Sequence, residues 1–302
     1  MSKFCVTGSI NMDLVTQAER FPKPGETING ISFATFPGGK GANQAVALAR
    51  LGAEVSMVGK TGNDIYAGEY MQYFTNAGVN TEGVSQEDTS TGIAVISVDS
   101  SGENSIIIVA GANGKVNSLY VSEKQDIISR SDFLLIQLEI PMEAVIQAAD
   151  IAVKNGTKVI LDPAPAADVP DSLLCNVDII TPNETEAEVL TGIKPETDAD
   201  FCKAGEKLIA RGAKTAVMKA GARGAYIYSD GELIHVDGFK VDVKDTTAAG
   251  DTFNAGLAYA LGKGLLMREA VRFANAAAAI STTKQGAQSG MPVIAEVKTL
   301  LN

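Results

Sequence analysis

From residue 118 onward the chain alternates segments of helical composition with short apolar runs, and that alternation leaves few folds open to it. Helices are expected over 118–128, 141–154 with Pro141 in the first turn, 184–190 and 200–210, and strands over 133–138, 157–161, 178–181 and 215–219. Strands separated by crossover helices pair in parallel, and a parallel sheet needs helices over both faces. The body is therefore expected to be a three-layer α/β/α sandwich, a doubly wound and mostly parallel sheet. Two further runs, 225–228 and 233–236, are expected to be antiparallel strands, and nearly everything after Gly250 reads as helix.

The first third is less regular. Phe4 to Gly8 is a short apolar run ending at glycine, the form of a buried strand that delivers its C-terminal end to a site. Helices are expected over 43–51, closed by Gly52, and 65–76, with a strand over 54–58. Before them the stretch 14–37 carries the turn signals Phe21-Pro22-Lys23-Pro24-Gly25 and Asn29-Gly30 and reads as small hairpins. The stretch 91–110 reads as two strands, 92–98 and 105–109, joined by a tight turn. Neither region fits inside a parallel sheet. Together they are expected to form a small β-sheet projecting from the ligand-binding edge, placed to act as a lid on a single unit spanning 1–302.

Charge and composition narrow the chemistry. With 36 acidic against 25 basic residues, a net −11, the chain lacks the clustered cations that nucleic acid or an anionic membrane requires, and small-molecule work is the default. Three cysteines without a C-x-x-C pair indicate neither a disulfide framework nor a zinc ribbon, and fit a reducing compartment. No signal-peptide pattern and no run of eighteen apolar residues is present, so a cytoplasmic location is expected. His235 is the only histidine and sits in a strand-like run, where a structural role is expected; carboxylates are left to move protons.

Two common nucleotide fingerprints fail. There is no G-x-G-x-x-G, and Gly59-Lys60-Thr61 lacks the glycine that a Walker A spacing needs. Small residues instead open a helix at Asp245-Thr-Thr-Ala-Ala-Gly-Asp251-Thr-Phe-Asn254, where the amides of Ala248, Ala249 and Gly250 can approach an anion closely. Asp251 there is either a carboxylate stabilised by the helix dipole or a general base that accepts a hydroxyl proton. Pro37-Gly-Gly-Lys-Gly-Ala-Asn-Gln44 is a binding loop or a tight turn into a helix, and Asn11 and Asp13 face a ligand or form Asx turns. Gln137-Leu-Glu139 and Asp162-Pro-Ala-Pro165 end predicted core strands at the crevice edge. Asn183-Glu-Thr-Glu186 orients water on Mg²⁺ or caps a helix, a reading that explains Asn183 and leaves Glu186 free. Lys219-Ala-Gly221-Ala-Arg-Gly224 is a glycine hairpin or a phosphate-proximal loop.

Taken in order, these motifs resemble the ribokinase branch of the sugar kinases related to bacterial minor phosphofructokinase. The match covers essentially the whole chain, and its most specific stretches are 37–45 (PGGKGANQA), 180–188 (ITPNETEAE) and 245–256 (DTTAAGDTFNAG). The resemblance implies phosphorylation of D-ribose at O5 by MgATP. The sugar pattern falls on Asn11, Asp13, Gly39, Lys40, Asn43, Glu139 and Asp251, with Asp251 as base and the anion hole at Ala248, Ala249 and Gly250. ATP would lie along Asn183, Lys219, Gly221, Gly224 and Asn275, and Glu186 would organise Mg²⁺ through water. A monovalent cation, K⁺, would be held by Asp245, Thr247, Ser281, Lys284, Gly286 and Gly290, several through backbone carbonyls. The small sheets of two subunits would clasp as a homodimer. Two residues depart from the pattern: Asp162 stands where the family's N-P-A-P-A has asparagine, and Lys219 where many ribokinases have a small hydroxyl residue. Kinases for 2-deoxyribose or fructose, and a non-catalytic sugar- or nucleotide-binding regulator, are the competing readings.

Overall fold

A computed structural model describes residues 2–302. In chain order the strands are β1 (Lys3–Thr7), β2 (Asn11–Ala18), β3 (Gly30–Gly38), β4 (Glu54–Thr61), β5 (Asn80–Gln86), β6 (Gly92–Val98), β7 (Asn104–Val109), β8 (Phe133–Ile136), β9 (Lys158–Leu161), β10 (Ile179–Ile180), β11 (Thr215–Lys219), β12 (Ala225–Ser229) and β13 (Glu232–Val236). The helices are α1 (Lys40–Arg50), α2 (Ile65–Ala77), α3 (Ser118–Glu123), α4 (Gln125–Ser129), α5 (Met142–Lys154), α6 (Asp171–Leu174), α7 (Glu184–Thr191), α8 (Asp198–Ala210), α9 (Ala249–Gly262), α10 (Met267–Ser281), α11 (Ala287–Gly290) and α12 (Ile294–Leu301).

Nine strands form one sheet in the order β13-β12-β11-β10-β9-β8-β1-β4-β5. It runs parallel from β11 through β5, and β12 and β13 add antiparallel at one edge, as the short link between those two runs requires. Because successive side chains of a strand point to opposite faces, each apolar strand feeds two cores. Phe4 and Val6 of β1 pack with α1, α2, α9, α10 and α12, whereas Cys5 between them packs with the α3–α8 layer. The same split places Phe133 and Leu135 on one face of β8 and Leu134 and Ile136 on the other. Central strands such as β8 are apolar throughout for this reason: both faces are covered, so no face is left to be polar.

Three departures from the sequence reading have local causes. β5, with the polar sequence Asn-Thr-Glu-Gly-Val-Ser-Gln, lies at the sheet edge and is half exposed, so it carries no apolar run to betray it. The helix expected over 118–128 breaks at Lys124, whose φ of −100° and ψ of 11° end α3 before α4 begins. Strand β8 stops at Ile136, which sends Gln137 and Glu139 into the crevice rather than along the sheet.

A second sheet of four strands has the order β3-β2-β6-β7. β2 pairs antiparallel with β3 and parallel with β6, and β6 pairs antiparallel with β7. The sheet starts at Asn11, earlier than the turn signals suggest, because Asn11 and Met12 already pair with Gly38 and Pro37. Asn11 and Asp13 are thus two apart on one strand and share a face, which removes the Asx-turn reading. In the main sheet the chain turns outward from β1 in both directions, to β4 and β5 on one side and to β8 through β11 on the other. Open α/β sheets bind ligands beyond the strand ends at such a switch point.

Candidate active site

Asp251 is in the first turn of α9 and only 5% exposed. Its Oδ2 accepts from Asn43 Nδ2 at 3.0 Å and its Oδ1 from Gln44 Nε2 at 3.2 Å, both donors on α1. Asn43 is steadied in turn by Gln288 Nε2, at 3.3 Å from its Oδ1, and the same nitrogen reaches the Tyr70 hydroxyl at 2.9 Å. Burial drives the Asp251 pKa up to about 6; Lys40 works against that rise, and Asp162 adds to it. A helix-capping carboxylate would make its bonds to nearby backbone N–H groups, and this one bonds to side chains instead.

The start of α9 supports an anion. Ala248 precedes it with φ 58° and ψ 17°, a left-handed conformation unusual for a residue with a Cβ, and no side chain caps the helix. The Ala249 N–H is spent on Thr246 O at 3.2 Å, so this member of the expected anion hole is committed to the turn. The N–H groups of Ala248, Gly250 and Asp251 have no backbone acceptor among the described residues, which leaves the hole to them.

Around this point the crevice is polar. Glu139 Oε2 accepts from the Lys40 backbone N–H at 3.0 Å and from the Ser9 hydroxyl. Burial opposes the charge on Lys40, yet the carboxylates of Asp251, Asp162, Glu139 and Glu186 outweigh it and push its pKa up. Asp13 is raised to about 7 by burial first, and then by Glu139 and Asp251. Gly38 lies directly against it: a Cβ on Gly38 would sit 2.4 Å from the Asp13 carboxylate oxygens. Asn11 Oδ1 accepts from Asn113 Nδ2 at 2.6 Å, and Asn113 also brackets the Ile10 peptide through both its N–H and its carbonyl. The structure therefore brings Asn11, Asp13, Gly39, Lys40, Asn43, Glu139 and Asp251 into one crevice.

Farther along, Asn183 and Glu186 form a reciprocal capping box at the start of α7: Glu186 N–H donates to Asn183 Oδ1 at 2.8 Å and Asn183 N–H to Glu186 Oε2 at 2.8 Å. This corrects the expectation that capping leaves Glu186 free. Each of its carboxylate oxygens keeps a second acceptor site, so the residue fits a Mg²⁺ that retains its waters. Lys219 Nζ is 2.8 Å from Asp162 Oδ1 and 3.9 Å from Glu186, and it lies 3.6 Å from where a Cβ on Gly250 would be. Gly221 and Gly224 flank a single 3₁₀ turn. Asn275 gives its amide hydrogens to Val236 O and Asp237 O at 3.0 and 3.1 Å, and so fastens the end of β13 rather than projecting into open space.

The loops assigned to a monovalent cation meet behind the start of α9. Asp245 accepts from the Thr247 hydroxyl at 2.6 Å and from Gly286 N–H at 2.8 Å. Although burial works against its charge, these bonds hold the Asp245 carboxyl below its usual range. The Ser281 carbonyl lies 2.6 Å, and the Lys284 carbonyl 3.7 Å, from where a Cβ on Gly290 would stand, while the Lys284 ammonium turns away to Glu296 at 2.7 Å. A carboxylate with gathered carbonyls is an all-oxygen donor set that suits a hard cation. No cluster of three His, Cys, Asp or Glu able to hold a metal occurs among the described residues.

Motifs read as structural stay so. Lys60, of the broken Walker-like stretch, is buried against Glu87 and 4.3 Å above the Tyr120 ring. His235 Nε2–H donates to the Arg223 carbonyl at 2.8 Å, and the ring stacks on Tyr226. Sequence reasoning missed Asn113, Tyr70 and Gln288, which carry no motif of their own, and gave Gln44 no role although it stands beside Asn43.

A buried carboxylate beside an open helix start, with a lysine at the same point, is an arrangement chemically able to take a proton from a hydroxyl while negative charge gathers on the group that the hydroxyl attacks. That defines a phosphotransferase acting on a small polar acceptor. The chain belongs to the pfkB family of carbohydrate kinases, whose model matches residues 1–294. It is 46% identical over 299 residues to the ribokinase of Haemophilus influenzae, covering 98% of this chain and 97% of that one. It is 35% identical to the deoxyribokinase of Salmonella typhi over 98% of both chains. Its structure matches that of Arabidopsis thaliana ribokinase complexed with ribose and ATP with a TM-score of 0.95 and 37% identity, covering 100% of this chain and 99% of that one.

Proposed function

We propose that this chain phosphorylates D-ribose at O5 with ATP. The observation that carries the reading is Asp251, buried at the open N-terminus of α9 and oriented by Asn43 and Gln44. Asn11, Asp13, Gly39, Lys40, Asn43 and Glu139 hold the pentose hydroxyls, and Asp251 takes the O5 proton as O5 attacks the γ-phosphorus. The O5–P bond forms, the bond from phosphorus to the β-bridging oxygen breaks, and ADP leaves. The free amides of Ala248 and Gly250 bind charge on the transferring group, and Lys219 adds a fixed positive charge beside them. ATP lies along Asn183, Lys219, Gly221 and Gly224, with Asn275 securing the strand end behind it. Glu186 would hold Mg²⁺ through water, and the ion would supply neutralisation of phosphate charge. Asp245, Thr247, Ser281, Lys284, Gly286 and Gly290 would hold K⁺, which would supply a fixed charge behind the anion hole.

The four-stranded sheet acts as a lid over the sugar, excluding water that would compete for the phosphoryl group. Deoxyribose kinase is the second reading, favoured by the similarity to a deoxyribokinase. ADP release with MgATP and K⁺ separates the two: ribose is expected to stimulate it strongly, 2-deoxyribose and fructose weakly, and omission of K⁺ to lower the rate. Equal stimulation by 2-deoxyribose would move the assignment, and none by any sugar would overturn it.

The lid is also the proposed interface of a homodimer. Its edge strands expose apolar side chains in both directions, Ile31 at 69% and Phe33 at 64% on β3, and Ile107 at 64% and Ile108 at 53% on β7. Unpaired apolar edges are aggregation sites unless something covers them, and a second copy of the same sheet does so. Ile107→Glu is expected to convert a two-chain species into a single chain in analytical ultracentrifugation; an unchanged mass would remove the lid from the interface. No helix among the described residues is long and apolar enough to cross a membrane.

A further inference from the structure

We propose that Asp162 and Lys219 work as one unit, in which Asp162 is a positioning residue that holds the Lys219 ammonium at the open start of α9. The two residues end neighbouring strand positions, Asp162 just past β9 and Lys219 closing β11, with β10 between them. Their side chains meet at 2.8 Å in a nearly closed setting, Asp162 being 2% exposed and the Lys219 side chain 13%. The other Asp162 oxygen accepts from Gln44 Nε2 at 3.1 Å, and the same nitrogen reaches Asp251 at 3.2 Å. Gln44 is itself fixed by Gln137 Nε2 at 2.7 Å. The carboxylate is therefore held from behind, and its free direction points at the lysine, whose nitrogen stands 3.6 Å from where a Cβ on Gly250 would be.

Each residue balances the charge of the other in this nearly closed setting. A lone buried carboxylate would face the phosphates of ATP, and a lone ammonium would lose its fixed direction. Both positions depart from the pattern noted above, and the geometry places the two side chains in direct contact. The inference rests on the ATP-dependent reading but not on the identity of the sugar.

The test is a four-cornered cycle of wild type, Asp162→Asn, Lys219→Ser and the double variant, with ATP affinity read by titration calorimetry without sugar and kcat and KM read with ribose. Lys219→Ser is expected to weaken ATP binding and to raise its KM about tenfold, because Asp162 is left unpaired and facing the phosphates. Removing that carboxylate as well is expected to restore at least about half of the loss on a logarithmic scale, which is coupling rather than addition. Asp162→Asn alone is expected to lower kcat about fivefold with the ribose KM within about twofold. Lys219→Arg, which keeps the charge, is expected to stay within about threefold of wild type in ATP affinity. Losses that simply multiply in the double variant, or that fall on the ribose KM instead of ATP, would overturn the proposal. Failure of ribose as acceptor leaves the sugar-free titrations to decide it, and a wild type that binds no ATP would overturn both readings.

Discussion

Asp251→Asn is expected to lower turnover roughly a thousandfold while leaving ATP affinity within a few-fold, the pattern of a lost transition-state role. Asparagine keeps the volume and still accepts from Asn43 or Gln44, so the site remains assembled and only the proton acceptor is gone. As the proposed base, the same carboxylate is expected to govern the pH dependence. It must be unprotonated to act, and its pKa is raised to about 6, so the rate is expected to fall about tenfold per pH unit below that value and to level off above it. Asp13, raised to about 7 and coupled to Asp251, is expected to broaden the limb.

Asp251 should also cost stability, and the sign follows from its protonation. The folded state holds the proton up to about pH 6 and the unfolded chain releases it near the ordinary aspartate value of 3.8, so stability falls as pH rises through that window and stays lower above it. The asparagine variant escapes this and is expected to be more stable at pH 8 by on the order of 2 kcal/mol, with a higher Tm. Full turnover in the variant would remove Asp251 as base. A variant less stable than wild type at pH 8 would show that its ion pairing outweighs its burial.

The layered sheet was legible in the sequence because buried parallel strands are apolar on both faces and bounded by glycine, proline or polar caps, as in residues 133–136 and 158–161. β5 was not, because an edge strand is free to be polar. The site divides in the same way. Asp251, Asn43 and Lys40 stand in dense local motifs, so their chemistry is readable at short range. Asn113, Tyr70 and Gln288 reach the site from elements far apart in the chain, and nothing near them in sequence marks them. Glu186 shows the limit of local reading: its spacing from Asn183 was recognised, but only geometry reveals that the carboxylate completes the cap. The pairing of Asp162 with Lys219, 57 positions apart, is invisible until β9, β10 and β11 are laid side by side.

Two glycines with nearly the same backbone angle separate strain from positioning. Gly39 has φ 88° and Gly52 φ 86°, so alanine at either is forced into a conformation that L-residues avoid, at a cost of about 1–3 kcal/mol. Their surroundings differ. A Cβ on Gly52 meets nothing within 4 Å, whereas one on Gly39 would lie 2.7 Å from Asn11 N and 3.0 Å from Ser9 O, both backbone atoms that cannot swing aside. The loop would have to shift, and it carries the site with it: Gly39 O accepts from Asn43 N–H at 2.8 Å, and the next residue's N–H holds Glu139 at 3.0 Å. A displacement near 1 Å at reacting groups costs about a hundredfold in rate. Gly39→Ala is therefore expected to lose about a hundredfold in kcat/KM for the sugar, and Gly52→Ala to lose stability with activity unchanged. Steady-state kinetics beside thermal melts of both variants check this, and equal activities would mean that the Gly39 loop gives way without moving Asn43 or Glu139.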